Sequence, residues 1–209
     1  MSKTKKKILD ASRTLFNKHG YSQVTIRMIA QHIGISSGNL NYHFKIRDSI
    51  LEELYFEMVA VFDARVANLG KQEITIQSIK SDIVVSMERM VEYRFFWTDL
   101  YNLLAQNSKI REHFDQVYSQ RLNGYKFLFN YLIDKEIMMN ASFSGEHEVL
   151  AKLLIDQSNT WIYSSTLYQQ QNLNEFDIPN QAYRLMFMLY PYLTKKGKAD
   201  FISIFPKNS

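Results

Sequence analysis

Apolar residues recur along this chain at three- and four-residue intervals, the spacing of helices with one buried face. Ile8, Ala11, Leu15 and Phe16 share one face of a first helix over about residues 4–18, which Gly20 ends. Thr25 is placed to cap a second helix burying Ile26, Ile29 and Ile33, and a third covers about Ser36–His43. A fourth is expected from about Arg47 to Leu69 on Ile50, Leu51, Leu54, Met58 and Val61, with Gly70 as its stop. Longer stretches follow over about 74–92, 94–106, 109–138, 146–171 and 180–194. Residues 140–145 and 172–179 read as loops, the second ending at Pro179. Lys195 to Lys198 read as the end of the last helix, before a short apolar tail with Phe201, Ile202, Ile204 and Phe205. The expected fold is all-α, with about nine or ten helices.

The second and third helices carry a more specific pattern. Ala30 is small where two helices cross, Gly34 suits a left-handed turn residue, Ser36 suits a cap, and Leu40 anchors the following helix. This is the spacing of a helix-turn-helix, which offers its second helix to the DNA major groove.

The segment also resembles the TetR family of bacterial transcription regulators. Ile8, Ala11, Leu15, Phe16, Gly20 and Tyr21 match in the lead-in helix and turn. Thr25, Ile29, Ala30, Gly34, Ile35, Ser36, Gly38, Leu40, Tyr42, His43, Phe44 and Lys45 match in the helix-turn-helix. The match is specific over the first 60 or so residues and architectural beyond them. Two positions depart from the family pattern: Asn41, where Tyr is frequent, and Ile46, where a capping residue is frequent. The resemblance implies a three-helix DNA-binding domain, here 1–47, and a larger ligand-binding and dimerisation bundle, here 48–209.

Charge supports this reading without the family. Residues 1–50 hold nine Lys or Arg against Asp10 and Asp48, a net +7; the chain is +4, so the remainder is −3. A basic head on a mildly acidic body suits a partner of double-stranded DNA. The absence of cysteine excludes disulfides and thiol chemistry and is compatible with the cytoplasm, the expected location. No apolar run approaches the ~18 residues of a membrane span. No Glu is followed three residues later by His, and there is no His-Glu-x-x-His or glycine-rich phosphate loop. Neither an enzyme, a metal site nor a cofactor is therefore expected.

If Leu40 and Phe44 face inward, Ser37, Asn39, Asn41 and Tyr42 face the groove. Asparagine can bond adenine bidentately and an aromatic ring can lie against a thymine methyl. Arg27 is the candidate for a guanine. Thr25, His43, Lys45 and Arg47 suit phosphates, as do the lysines before Ile8. Against this stand a packing or capping role for His43, core packing for Tyr42, and a surface ion pair for Arg27.

The second domain is rich in rings. The resemblance implies a ligand cavity inside it, and Trp97, Tyr101, Tyr118, Tyr125 and Trp161, with Arg121 and Asn159, are the candidates to line it for a mostly apolar small-molecule effector. The competing reading is that the rings fill the core and that the polar residues pair internally or face solvent. A cavity of at least ~300 Å³ or solid packing separates the two. Leu153, Leu167 and Tyr168 on one helix, and Ala182, Leu185, Met186, Leu189 and Leu193 on another, are spaced for helix packing. In the family the corresponding pair meets its copy, and a twofold homodimer would read a palindromic operator. The expected function is a repressor released from DNA by its ligand; the alternative is a helix-turn-helix protein that senses no small molecule and acts constitutively or through a protein partner.

Overall fold

Local signals account for the helix boundaries in the computed structural model, which describes residues 2–69, 73–168 and 176–205; the side chains of 63–69 and of Tyr168 lie outside the description. The helices are α1 (Lys3–His19), α2 (Ile26–His32), α3 (Ser37–His43), α4 (Arg47–Leu69), α5 (Ile76–Glu92), α6 (Arg94–Thr98), α7 (Leu100–Gln106), α8 (Ser108–Asp134), α9 (Glu146–Tyr168), α10 (Ile178–Phe187) and α11 (Lys195–Ile204). Among the described residues the only extended pairing is an isolated antiparallel bridge between Met138 and Leu193. The expected stop at Gly70 and the first half of the 172–179 loop lie outside the described residues.

Several boundaries differ from the sequence reading; α8, expected to about 138, stops at Asp134. The stretch expected as one helix over 94–106 is broken at Asp99 into α6 and α7. Pro179 sits in the first turn of α10, where its missing N–H has no intrahelical bond to lose, and α10 then passes into a 3-10 turn, Tyr190–Tyr192, around Pro191. Lys195 to Lys198 begin a helix instead of ending one. Thr194 caps it by accepting from the Gly197 amide at 3.2 Å, while its own hydroxyl donates to the Glu136 carbonyl at 2.7 Å.

The chain separates into two compact units, Met1–Asn68 with Arg89–His113, and Leu69–Glu88 with Phe114–Ser209. The first contains the whole of 1–47 and extends well past it. Ile8, Leu9, Phe16, Ile29, Leu40, Phe44 and Leu54 are buried in it. Phe16 meets Tyr21 edge-on at 5.1 Å and Phe95 at 5.2 Å. Asn17 secures the joint between α5 and α6: its Nδ2 donates to the Glu92 carbonyl at 2.8 Å, and its Oδ1 accepts from the Phe95 amide at 3.1 Å. Arg13 and Arg89 both donate to the Tyr93 hydroxyl, at 3.2 and 3.3 Å, and both lie over its ring.

In the second unit Phe129, Leu132, Leu154, Ile155, Trp161, Ile162 and Phe201 are buried. The chain after α8 turns through Glu136, at φ 58, and lies beside the segment before α11: Met139 donates to the Tyr192 carbonyl at 2.8 Å, and Thr194 to the Ile137 carbonyl at 3.0 Å.

Candidate functional site

The turn of the helix-turn-helix follows from three residues. Gly34 takes φ 71 after α2; its amide reaches the Gln31 carbonyl at 3.2 Å, and the Ile35 amide reaches that of Ala30 at 3.0 Å. These two bonds satisfy two of the carbonyls that the end of α2 leaves open. Thr25 accepts from the Met28 amide at 3.2 Å to start α2, and Ser36 accepts from the Asn39 amide at 3.1 Å to start α3.

Burial then orients α3. Leu40 is fully buried and Phe44 nearly so, which leaves Ser37, Asn39, Asn41 and Tyr42 exposed. Tyr42 is 86% exposed, and its ring meets that of His43 edge-on at 5.3 Å. An aromatic side chain so free of the core has no packing role in the chain itself. His43 is half-buried; Thr25, Arg27 and Lys45 are exposed. Arg27 has no hydrogen-bond or ionic partner among the described residues, so its charge is available to a ligand.

Two basic residues stand differently from the sequence reading. Arg47, expected at the phosphates, is engaged inside the head: its Nη1 donates to the carbonyls of Tyr21, Ser22 and Val24 at 3.1, 3.3 and 2.8 Å, and its guanidinium lies 4.0 Å from the Tyr21 ring centre. A cation at the start of α4 satisfies carbonyls that the turn after α1 leaves open. Lys5 pairs with Glu53 at 2.6 Å and lies over the Phe44 ring. Arg13, Asn17 and Tyr93, which tie α1 to the α5–α6 joint, are absent from the sequence-derived candidates. Each is a single polar residue with no periodic signal, and its partner lies more than 70 positions away.

Within the second unit a cavity of about 10 Å³ is lined by Phe114, Val117, Tyr118, Arg121 and Asn159. That is room for roughly one water. Tyr118, Arg121 and Asn159 are thus brought together, and Tyr125 stands one turn from Arg121 along α8. The other candidates lie elsewhere. Trp161 is 1% exposed and meets Phe176 edge-on at 5.6 Å; Trp97 is buried on α6 in the first unit; Tyr101 is 82% exposed on α7. No space of ~300 Å³ surrounds the rings lining this cavity.

The apolar faces also divide. Ala182, Leu185, Met186, Leu189 and Leu193, expected at a partner interface, are at most 4% exposed and fill the chain's own core. Leu153 and Leu167 are about half-exposed, and Tyr168 lies outside the described side chains. With Val149 and Tyr163 they form an exposed apolar stripe on α9, opposite Leu154, Ile155 and Ile162.

A capped, exposed third helix on a basic three-helix head defines a sequence-specific DNA-binding regulator of the helix-turn-helix class. Comparison with known proteins gives the family. Residues 57–201 match the TetR model, described as bacterial transcriptional repressor, and residues 8–54 match that of the bacterial regulatory proteins of the tetR family. The chain belongs to the TetR family. It is similar to the HTH-type transcriptional regulator QacR of Staphylococcus aureus strain Mu50, with 23% identity over 82% of this chain and 89% of QacR. It is also similar in structure to a TetR-family regulator from Marinobacter aquaeolei VT8, with a TM-score of 0.82, 25% identity and 97% of each chain covered. A regulator from Saccharomonospora viridis, solved in complex with choline, shares the fold with a TM-score of 0.70 and 19% identity over 93% of this chain and all of that one. No described helix is long and apolar enough to cross a membrane, and no group of described His, Asp or Glu residues is placed to hold a metal ion.

Proposed function

We propose that this regulator is a cytoplasmic homodimeric repressor that holds a palindromic duplex operator and releases it when a mostly apolar small molecule enters the second unit. Arg27, Ser37, Asn39, Asn41 and Tyr42 meet base edges; Thr25, His43 and Lys45 meet phosphates. The observation that carries the DNA-reading half is Tyr42, 86% exposed between buried Leu40 and Phe44. Two copies pair through the α9 stripe, Val149, Leu153, Tyr163 and Leu167. Pairing sets the two recognition helices about one DNA turn, ~34–36 Å, apart. The ligand acts by favouring a different spacing, and its effect is limited to its differential affinity for the two states. The choline complex of the S. viridis regulator supports a small-molecule effector by analogy of fold.

The test is binding to a duplex selected from a random pool, at fixed salt. Arg27→Ala and Tyr42→Ala should lose discrimination worth about 1–3 kcal/mol, whereas Lys45→Ala should weaken all duplexes evenly. Unchanged affinity and preference in the first two variants would remove them from the interface. Affinity should fall steeply with salt, because phosphate contacts release counterions.

A further inference from the structure

Arg121 holds a positive charge against the cavity of the second unit with only neutral partners. Its Nη1 donates to Asn159 Oδ1 at 2.7 Å and its Nη2 to Ser158 Oγ. No described carboxylate lies within ion-pair distance; Asp156 acts on it only through its field. Burial lowers the Arg121 pKa, a sign that its charge is poorly solvated. A guanidinium has five N–H donors, so two neutral oxygens leave donors free for a ligand.

The neighbouring groups are donors as well. Asn159 accepts from Arg121 through Oδ1, and its Nδ2 has no partner among the described residues. The Tyr118 hydroxyl also has no hydrogen-bond partner there. Phe114 and Val117 complete the wall with apolar surface. A half-buried cation at the cavity wall, with donors not used within the chain and no described carboxylate in contact, is placed to receive an anion. Charge-assisted and forked bonds to a carboxylate would then form.

We propose that the effector is an apolar monocarboxylic acid whose carboxylate is received by Arg121, with Asn159 and Tyr118 as flanking donors. This rests on the ligand-sensing reading above and assigns its chemical class. One guanidinium beside two neutral donors suits a single carboxylate; a phosphate dianion would call for further cations. The cavity of about 10 Å³ takes a water-sized group. The body of the acid enters by displacing Phe114, Val117 and Tyr118, all only half-buried.

The experiment uses the full chain and four probes: decanoate, 1-naphthylacetate and their primary amides. Melting shifts and release of a fluorescent operator duplex are read for the wild type, Arg121→Gln and Asn159→Ala. At least one acid should bind tenfold or more tightly than its amide, Arg121→Gln should lose tenfold or more of that affinity, and Asn159→Ala should lose a smaller part. Amides that match their acids, acid binding unchanged in Arg121→Gln, or silence of both acids overturns the proposal. A neutral hydrophobic library run alongside separates the two levels: neutral compounds that release DNA while the acids are silent overturn the carboxylate and leave ligand sensing standing, and silence in both overturns both. If Arg121→Gln does not melt cooperatively, the contrast between acid and amide on the wild type decides.

Discussion

Arg47 holds its guanidinium over the ring of Tyr21, 4.0 Å from its centre, while donating to the Tyr21 carbonyl at 3.1 Å. The same guanidinium reaches the carbonyls of Ser22 and Val24, so one side chain from the start of α4 holds the turn between α1 and α2. A lysine would replace the delocalised guanidinium over the Tyr21 ring by a compact, strongly hydrated ammonium on a shorter reach. Arg47→Lys should therefore lower unfolding stability by about 1–2 kcal/mol. Urea unfolding monitored by circular dichroism measures this; a variant as stable as wild type would return Arg47 to the surface as a phosphate contact.

Burial, reinforced by its hydrogen bond to Asp48, pushes the Tyr21 hydroxyl up to about 12. The unfolded chain loses this proton near the ordinary pKa of 10, before the folded chain does. Between those values the folded state binds more protons than the unfolded, so stability falls as pH rises. The contribution of Tyr21 should be intact below about pH 10 and lost by about pH 12. The stability difference between wild type and Tyr21→Phe, followed from pH 9 upward, should shift against the wild type across that window. A difference that does not vary with pH would contradict the assignment.

The stripe on α9 separates assembly from folding. Leu153→Arg replaces a half-exposed side chain, so the chain should fold and sediment as a monomer at micromolar concentration. Leu189→Arg replaces a residue that is 3% exposed and should lower the melting temperature sharply, by more than about 3 kcal/mol of stability. Dimers that survive Leu153→Arg would move the interface to another face.

Gly197 marks a close approach of α11 to the chain after α8. A Cβ built there would stand 2.2 Å from the Ile137 carbonyl oxygen and 3.1 Å from its carbon. Backbone cannot swing aside as a side chain can. Gly197→Ala should cost about 1–3 kcal/mol, by analogy with overpacked cores, and should disturb the Thr194 cap of α11. Chemical denaturation gives the magnitude, and amide exchange at Lys198, which bonds to the Thr194 carbonyl at 2.9 Å, reports on the cap.

Local rules made the helix-turn-helix legible in the sequence. Thr25, Gly34 and Ser36 act on backbone groups within a few positions of themselves, so their roles follow from residue type and spacing. The outward direction of Tyr42 follows in the same way once Leu40 and Phe44 are taken as the inner face. Where a helix packs is not a local property. Leu185 and Leu153 have the same side chain and similar helical surroundings in sequence, yet one is 4% exposed and the other 49%. α9 is apolar on two opposite faces, and only the folded chain decides which of them it covers. The same holds for Trp161, at 1% exposed, and Tyr101, at 82%, and for Arg47, whose three carbonyl partners lie 23 to 26 residues before it. Sequence alone determined most of the helices and the caps and turn of the reading head, because those depend on neighbours along the chain. Tertiary structure decided which apolar faces became core, which cations were held internally, and that Arg121 meets Asn159, because those depend on groups far apart in sequence that meet only when the chain has folded.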